Sequence, residues 1–392
     1  MSEAECTCYH MGHGAMYCVT VYEDNTKSKV KKRFLIDAGS NQDYPVGSDS
    51  LSKQNIEHIK KEIQNSSNNE WIFCLTHLHA DHYTAFQTIS KEVTNINEKV
   101  EKFRIGSLTA GEWEDLTDKV LKSYDDYTVG KLALQEMLVK FKDKVKFLKP
   151  VTQAKLLWND GDVSLYLLFN CMFNLDKPED AKQLLNANGA SFLVKHNGYQ
   201  TAFWFTGDIT GETFYNILRH EKTYFSMQAI LHDCVEVVMT PPHHGSIHTL
   251  NGIGGDWQNP KDPNLNYYYE KWVNFCESID LLNDKLNCKL IWSACLYDRF
   301  KHPYGAALSI YSTTCGAETH DYKWAVYKTF ESEDEELFDE YFRITNYNAA
   351  YTVDNKWRLQ NLSRQIIPTL RFYPDTRIAT VSNIQYDFQR SD

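Results

Sequence analysis

The strongest structural signal in the chain is the heptapeptide Thr76-His77-Leu78-His79-Ala80-Asp81-His82. It directly follows Trp71–Leu75 (WIFCL), a short apolar segment that predicts a buried β-strand. Imidazole and carboxylate groups are ligands that suit divalent metals such as Zn, Mn or Fe. On a turn after a strand, His77 and His79 point to one side, whereas Asp81 and His82 turn toward a second ion. The spacing therefore predicts two metal half-sites, against the alternative of a solvated, histidine-rich loop.

Further strand signals lie on both sides of this cluster, and helical signals alternate with them. The predicted strands are Tyr17–Tyr22, Arg33–Asp37, Ser164–Phe169, Ser191–Lys195, Thr201–Thr206, Val235–Met239 and Lys289–Ala294. The predicted helices are Ser52–Gln64, most of Ile89–Lys144, Glu212–His220 and Trp272–Leu282, and a loop insertion is predicted over Asn251–Tyr269. Two strand-rich halves with flanking helices favour an α/β sandwich.

Three other segments carry the remaining parts of a known pattern, in order along the chain. They are Phe34–Gly39 (FLIDAG), Phe205–Asp208 (FTGD) and Val237–Ser246 (VVMTPPHHGS). Together with H-x-H-x-D-H after an apolar strand, they resemble the metallo-β-lactamase superfamily over roughly residues 9–310. The resemblance implies an αββα four-layer sandwich, here with a C-terminal extension, and two divalent metal ions, Zn or Mn. It also implies that Asp208 bridges the two ions.

Within that superfamily, several positions are similar to the soluble hydrolase domain of DNA-uptake competence proteins (ComEC-like). These positions are His10-Met11-Gly12-His13-Gly14, Asn188 before a strand and a hairpin, His243-His244-Gly245-Ser246, and Lys301-His302-Pro303. The similarity implies a nuclease-like phosphodiesterase that acts on a nucleotide or a nucleic acid. The same fold also allows an ester, thioester or lactone hydrolase. A third alternative is a binding or regulatory protein that keeps the fold without turnover.

Two features depart from the superfamily pattern. Many members have another histidine ligand before the bridging aspartate, but the only histidine between His82 and Asp208 is His196, beside a predicted hairpin turn. The first metal site is then completed by water or Asn188, or one ion is bound instead of two. In addition, His13-Gly14-Ala15 replaces the Gln-Gly-Asp turn of the competence-type domain.

The resemblance assigns a role to each candidate site residue. The expected ligands are His77 and His79 for the first metal, Asp81, His82 and His243 for the second, and Asp208 for both. Because one side chain of an adjacent pair points inward after an extended strand, we expect only one of His243 and His244 to bind. Asp81 is expected to hold or relay a proton, and His302 to contact substrate oxygens unless it is an ordinary loop histidine. Asp37 is expected to orient a ligand histidine, and Asn188, His244 and Ser246 to lie around the ions or the substrate. The alternative for Asp208 is a helix N-cap before residues 211–220.

The chain is expected to divide into a hydrolase domain, residues 1–318, and an extension, residues 319–392. The first contains a helical insertion at about 90–145 and a loop insertion at about 251–270. Strand signals at Tyr341–Thr345, Thr369–Tyr373 and Ile378–Val381 make the extension β-leaning. It is expected to pair with another subunit, giving a homo-oligomer, or to form an accessory domain of the same chain.

The overall charge and the cysteines limit the partners and the compartment. A net charge of −11 disfavours broad binding of nucleic acid by the surface, although a local basic groove remains open. The ten cysteines include no C-x-x-C pair, which favours free thiols in a reducing cytosol. Without a visible secretory signal or an apolar run of about 18 residues, a cytoplasmic protein with no membrane partner is expected.

Overall fold

Two mixed β-sheets contain most of the described strands. The computed structural model describes residues 2–9, 11, 14–40, 51–106, 135–137, 139–170, 189–209, 217, 220–232, 234, 236–240, 242–245, 287–292, 326–328, 357–359, 369–372, 379–382 and 388–390. The strands are β1 Glu3–Cys8, β2 Met16–Tyr22, β3 Val30–Ala38, β4 Trp71–Leu75, β5 Val100–Ile105, β6 Val145–Phe147, β7 Lys155–Asn159, β8 Val163–Phe169, β9 Ser191–His196, β10 Thr201–Phe205, β11 Glu236–Met239, β12 Asn287–Trp292, β13 Val326–Lys328, β14 Trp357–Leu359, β15 Thr369–Phe372, β16 Ala379–Ser382 and β17 Phe388–Arg390. The helices are α1 Leu51–Asn65, α2 Ala80–Glu92, α3 Ile96–Lys99 and α4 Glu221–Leu231.

Each sheet has an antiparallel part and a parallel part. The first sheet has the order β16-β15-β1-β2-β3-β4-β5-β6, and its strands run parallel from β3 to β6. The second sheet has the order β13-β12-β11-β10-β9-β8-β7, and its strands run parallel from β10 to β13. Ligands bind beyond the carboxyl ends of parallel strands in open α/β sheets. A ligand-binding site is therefore expected at the loops after β3, β4, β10 and β11.

Buried apolar side chains separate four layers. The layer between the two sheets includes Phe34 and Ile72 of the first sheet and Leu165 and Phe203 of the second. A second apolar layer joins the outer face of the first sheet to α1, α2 and α3 through side chains such as Phe73, Phe86 and Phe103. On the second sheet, Lys195 donates to the Ile230 carbonyl of α4 at 3.0 Å, which places this helix on the outer face. The layer order is helix, sheet, sheet, helix, as the sequence predicts.

The predicted strands around the histidine cluster are confirmed with small shifts in their ends, and Trp71–Leu75 matches β4 at both ends. The helical prediction across Ile89–Lys144 is wrong at Val100–Ile105, which forms β5 parallel to β4. Residues 107–134 of that segment lie outside the described residues. So do the loop insertion at 251–270, the helix at 272–282 and the tail strand at 341–345. The helix predicted at 212–220 also lies mostly outside them.

Strands of the C-terminal extension add to both sheets of the same chain. β15 pairs with β1 in antiparallel register, with Cys6 opposite Leu370, and β13 pairs with β12. The division at residue 318 stays a prediction. Among the described residues, no helix combines the length and the apolar character needed to cross a membrane.

Candidate metal centre

Histidine and aspartate side chains from four loops converge at the carboxyl ends of β3, β4, β10 and β11. Asp37 lies near the end of β3, residues 76–82 follow β4, Asp208 follows β10, and His243 and His244 follow β11. The loops after β10 and β11 are held together by the backbone and by threonines. Thr206 Oγ1 donates to the Thr240 carbonyl at 2.8 Å, and His243 N donates to the Gly207 carbonyl at 3.0 Å.

The first group of candidate ligands contains His77, His79 and Asp208. One ligand atom from each of these residues lies within 4.8 Å of the others. His77 Nε2 lies 3.0 Å from His79 Nδ1 and 3.6 Å from Asp208 Oδ2. His77 is fully buried, whereas His79 is partly exposed at the helix start. The two histidines predicted for the first half-site therefore face the same carboxylate oxygen region.

The second group contains Asp81, His82, Asp208 and His244, again with ligand atoms within 4.8 Å of one another. His82 Nε2 lies 3.0 Å from Asp208 Oδ1, and His244 Nε2 lies 3.7 Å from the same oxygen. His244 Nε2 also lies 3.4 Å from Asp81 Oδ2. Asp208 thus belongs to both groups, with Oδ1 toward the second and Oδ2 toward the first.

The start of helix α2 fixes the positions of Asp81 and His82. His79 is the N-cap with an extended φ of −95°, and the His82 amide donates to its carbonyl at 2.9 Å. Asp81 lies in the first turn, where a carboxylate is favoured by the helix dipole. Gly39 packs directly under this turn, because a Cβ on it would lie 2.4 Å from the Asp81 carbonyl carbon.

The backbone at His243 and His244 differs from the sequence prediction. Both residues adopt the left-handed conformation, each with φ of 51°, instead of continuing an extended strand. Two successive left-handed residues bring both rings toward Asp208. His243 Nε2 lies 3.6 Å from Oδ2, and His244 Nε2 lies 3.7 Å from Oδ1. The premise that only one of the pair points inward is therefore wrong. A left-handed conformation at non-glycine residues costs energy and is concentrated at functional sites.

Asp37 holds a buried hydrogen-bond network beneath the two groups. Its Oδ1 accepts from the Thr76 amide at 2.7 Å, and its Oδ2 accepts from Thr76 Oγ1 at 2.9 Å. His82 Nδ1 lies 2.8 Å from the same Oδ2. Asp37 thus contacts the far nitrogen of a histidine whose Nε2 faces Asp208. The sequence reasoning did not single out Thr76, although its polar side chain directly follows a buried strand.

Burial and neighbouring charges shift the pKa values of the central residues in opposite directions. Burial opposes the charged form of His82, but the Asp208 and Asp37 carboxylates outweigh it and raise the pKa of His82 well above its usual value. Burial and the nearby His82 lower the pKa of His77 well below its usual value. For Asp208, burial acts upward, but the surrounding histidines hold its pKa well below the ordinary value. A carboxylate enclosed by imidazoles results.

The chemistry of both groups fits a divalent cation. Imidazole nitrogens and carboxylate oxygens are the ligand types that Zn and Mn accept. Among the described residues, His82 Nε2 is buried and makes no hydrogen bond of acceptable geometry, although Asp208 Oδ1 is close. A cation between these atoms would take the place of the proton on His82 Nε2 and balance the buried charge of Asp208.

Several predicted site residues lie outside the described residues. They are Asn188, Ser246 and His302, together with His10, Gly12 and His13 of the early turn. His196 is described, and it is buried at the far end of β9 from the donor groups. Its Nε2 contacts the Ser2 carbonyl at 2.9 Å, and the Tyr199 amide donates to its Nδ1 at 3.2 Å. These bonds account for both ring nitrogens.

No protein-family model matches the chain, and no curated protein matches it. Among solved structures, the chain is similar to a metallo-β-lactamase fold protein, YhfI from Bacillus subtilis, with 9% identity, a TM-score of 0.29, and coverage of 74% of this chain and 97% of that one. It is also similar to a diphosphatase from the PhnP family, with 11% identity, a TM-score of 0.31, and coverage of 74% and 87%.

A third similarity is to a metallo-β-lactamase from Staphylococcus aureus, with 13% identity, a TM-score of 0.31, and coverage of 71% and 66%. Identities and TM-scores this low assign neither a family nor a substrate. Its own layers and strand order show an α/β fold with four layers in the order helix, sheet, sheet, helix.

Proposed function

We propose that this chain is a metal-dependent hydrolase that uses two divalent cations and attacks its substrate directly with water. The observation that carries the proposal is the position of Asp208. Its two oxygens face two different groups of histidines and acids, with His77 and His79 on one side and Asp81, His82 and His244 on the other. In this position Asp208 would hold both cations of a dinuclear hydrolytic site.

The ligands follow from the two groups. His77, His79 and Asp208 would hold the first cation, and Asp81, His82, Asp208 and His244 the second. The geometry favours His244 over His243, because only His244 shares the second group. When bound, two divalent cations supply hydroxide at neutral pH and stabilise negative charge that develops on the substrate. His243 Nε2 lies 3.6 Å from Asp208 Oδ2, and we assign His243 to contact with the substrate.

The protein side chains move and hold protons around this centre. Asp81 Oδ2 lies at the edge of the second group, 3.4 Å from His244 Nε2, and is the proposed acceptor for the proton that leaves the attacking water. Asp37 fixes the ring of His82. Among the described residues, neither donor group contains a cysteine, which supports direct attack without a cysteine nucleophile.

The substrate we propose is a phosphodiester of a nucleotide or a short nucleic acid. A pair of cations suits in-line displacement at phosphorus, because one cation would stabilise the attacking oxygen and the other the leaving oxygen. A net charge of −11 argues against long duplex DNA, whose binding requires many cationic contacts to phosphates.

Activity measured with defined metals tests the proposal. The metal-stripped protein is reloaded with Zn or Mn and assayed on bis-p-nitrophenyl phosphate, short oligonucleotides, a thioester and a lactone. Phosphodiester turnover that depends on the metal is expected. Turnover of the lactone or thioester alone would instead indicate a carboxylic-ester hydrolase, and metal-free inactive protein with no rescue would indicate a binding protein.

Asp208→Ala is the matched variant for the same assay. It is expected to lose cation binding and turnover together, because it removes one ligand from each group. Asp143→Ala removes an exposed acid on a short 3-10 helix and is the control. An Asp208→Ala protein with full metal content and full turnover would refute the bridging role.

A further inference from the structure

Thr76 lies between Asp37 and His77, where its one hydroxyl proton determines how the neighbouring protons are arranged. The side chain is fully buried. Its Oγ1 lies 2.9 Å from Asp37 Oδ2 and 3.0 Å from His77 Nδ1. A hydroxyl donates one hydrogen bond and accepts others, whereas a carboxylate only accepts. The proton of Thr76 must therefore be donated to Asp37, and the contact to His77 needs a proton from the ring.

The same assignment of hydrogen-bond donors and acceptors extends to the histidines of the first donor group. Because His77 Nδ1 carries the proton that Thr76 accepts, the Nε2 of a neutral His77 ring carries none. The short contact of His77 Nε2 to His79 Nδ1, at 3.0 Å, then takes its proton from His79. The hydrogen bonds run in one direction, from His79 through His77 and Thr76 to Asp37.

Asp37 acts on the second donor group without an intermediary. His82 Nδ1 lies 2.8 Å from Asp37 Oδ2 and donates to it, which leaves His82 Nε2 as the nitrogen that faces Asp208. The Thr76 amide occupies the other oxygen, Asp37 Oδ1, at 2.7 Å. One carboxylate is therefore connected to a histidine in each group, directly to His82 and through the Thr76 hydroxyl to His77.

We propose that Thr76 is a positioning residue that transmits the acceptor character of Asp37 to His77, so that a single carboxylate sets which nitrogen is free for a cation in both half-sites. Its value for metal binding rests on the proposed function, but the tautomer of His77 does not. A ligand histidine whose other nitrogen is held by a partner is oriented and more basic, and loss of such partners weakens metal affinity. Thr76 carries this effect to the half-site that Asp37 does not contact.

The tautomer of His77 in the metal-stripped, full-length protein tests the proposal. Long-range ¹H–¹⁵N correlation spectra of histidine-labelled protein distinguish the Nδ1–H and Nε2–H forms, and the resonance lost in His77→Gln identifies the residue. The unsubstituted protein and Thr76→Ser are expected to hold the Nδ1–H form. Thr76→Val keeps the shape without the hydroxyl and is expected to lose that form.

Two further variants separate the relay from general packing. Thr201→Val is the matched control, because Thr201 is equally buried, at the far end of β10, and its hydroxyl has no hydrogen-bond partner among the described residues. It is expected to leave the His77 signal unchanged. In Asp37→Asn, the backbone N–H of Thr76 holds the side-chain oxygen of the asparagine at the Oδ1 position, so the side-chain NH₂ group faces Thr76 Oγ1 and donates to it. The Thr76 hydroxyl then donates to His77 Nδ1, which is expected to shift His77 toward the Nε2–H form.

Metal affinity gives a second measurement. Thr76→Val is expected to weaken binding of the first cation by about 10- to 100-fold, and Thr76→Ser is expected to restore it. An Nε2–H form in the unsubstituted protein, or an Nδ1–H form that persists in Thr76→Val, would overturn the proposal. The predicted tautomers without any cation binding would support the relay and overturn the proposed hydrolase instead.

Discussion

Replacing Gly39 by alanine tests whether the position of helix α2 controls the metal centre. Gly39 follows β3, and the first turn of α2 lies directly on it. A Cβ at Gly39 would lie 2.4 Å from the Asp81 carbonyl carbon and 2.4 Å from the His82 nitrogen. These are backbone atoms, so no rotamer change relieves the contact. The strain comes from lack of space.

The size of the displacement follows from these distances. Carbon atoms in contact prefer a separation of about 3.5 Å, so the start of α2 must shift by about 1 Å. Asp81 and His82 move with it. Metal–ligand distances tolerate about 0.2 Å, and a 1 Å misplacement in an active site costs roughly 100-fold in rate. Overpacking of this kind also costs about 1–3 kcal/mol of stability.

Three measurements test these effects: metal affinity from chelator competition, turnover from steady-state kinetics, and stability from thermal unfolding. Gly39→Ala is expected to weaken binding of the second cation and to lower turnover by about 100-fold, while the protein remains folded. Gly161→Ala is the control for stability, because its φ of +101° strains alanine while no atom lies within 4 Å of the added carbon. Unchanged affinity and turnover in Gly39→Ala would show that α2 does not determine the ligand positions.

Two further predictions concern the histidine pair and a buried thiol. His244→Ala is expected to remove one equivalent of bound metal, whereas His243→Ala keeps both equivalents and loses mainly turnover; elemental analysis showing the reverse would exchange the two assignments. Burial raises the pKa of Cys18 from 9.0 to about 12, so the folded thiol stays protonated where the unfolded one ionises. The free energy of unfolding should therefore fall as pH rises from about 9 toward 12, and Cys18→Ala should reduce that slope in denaturant titrations. An identical slope in the variant would argue against this assignment.

The part of the fold nearest the heptapeptide was predictable because its strands are short, apolar and bounded by polar turns. β4 agrees with its prediction at both ends. β5 was missed because its sequence, VEKFRI, alternates poorly and sits in a lysine-rich stretch that favours a helix. Its strand conformation depends on parallel pairing with β4. Such pairing joins residues distant in sequence and leaves no local pattern.

The candidate site shows the same division. The types and spacing of His77, His79, Asp81 and His82 were enough to predict donors for two cations. The contributions of Thr76 and of the His243–His244 pair were not, because they depend on where neighbouring loops lie. Thr76 bonds to Asp37 across 39 positions of sequence.

The sequence by itself determined which chemical groups are present, the succession of strands along the chain that carry them, and the α/β class. These follow from local spacing and hydrophobic pattern. Only the tertiary structure decided that Asp208 faces both donor groups, that both histidines after β11 turn inward through left-handed backbone, and that tail strands extend the sheets of the same chain. Those outcomes depend on backbone dihedral angles and on pairing between distant segments, and packing of the whole chain selects them.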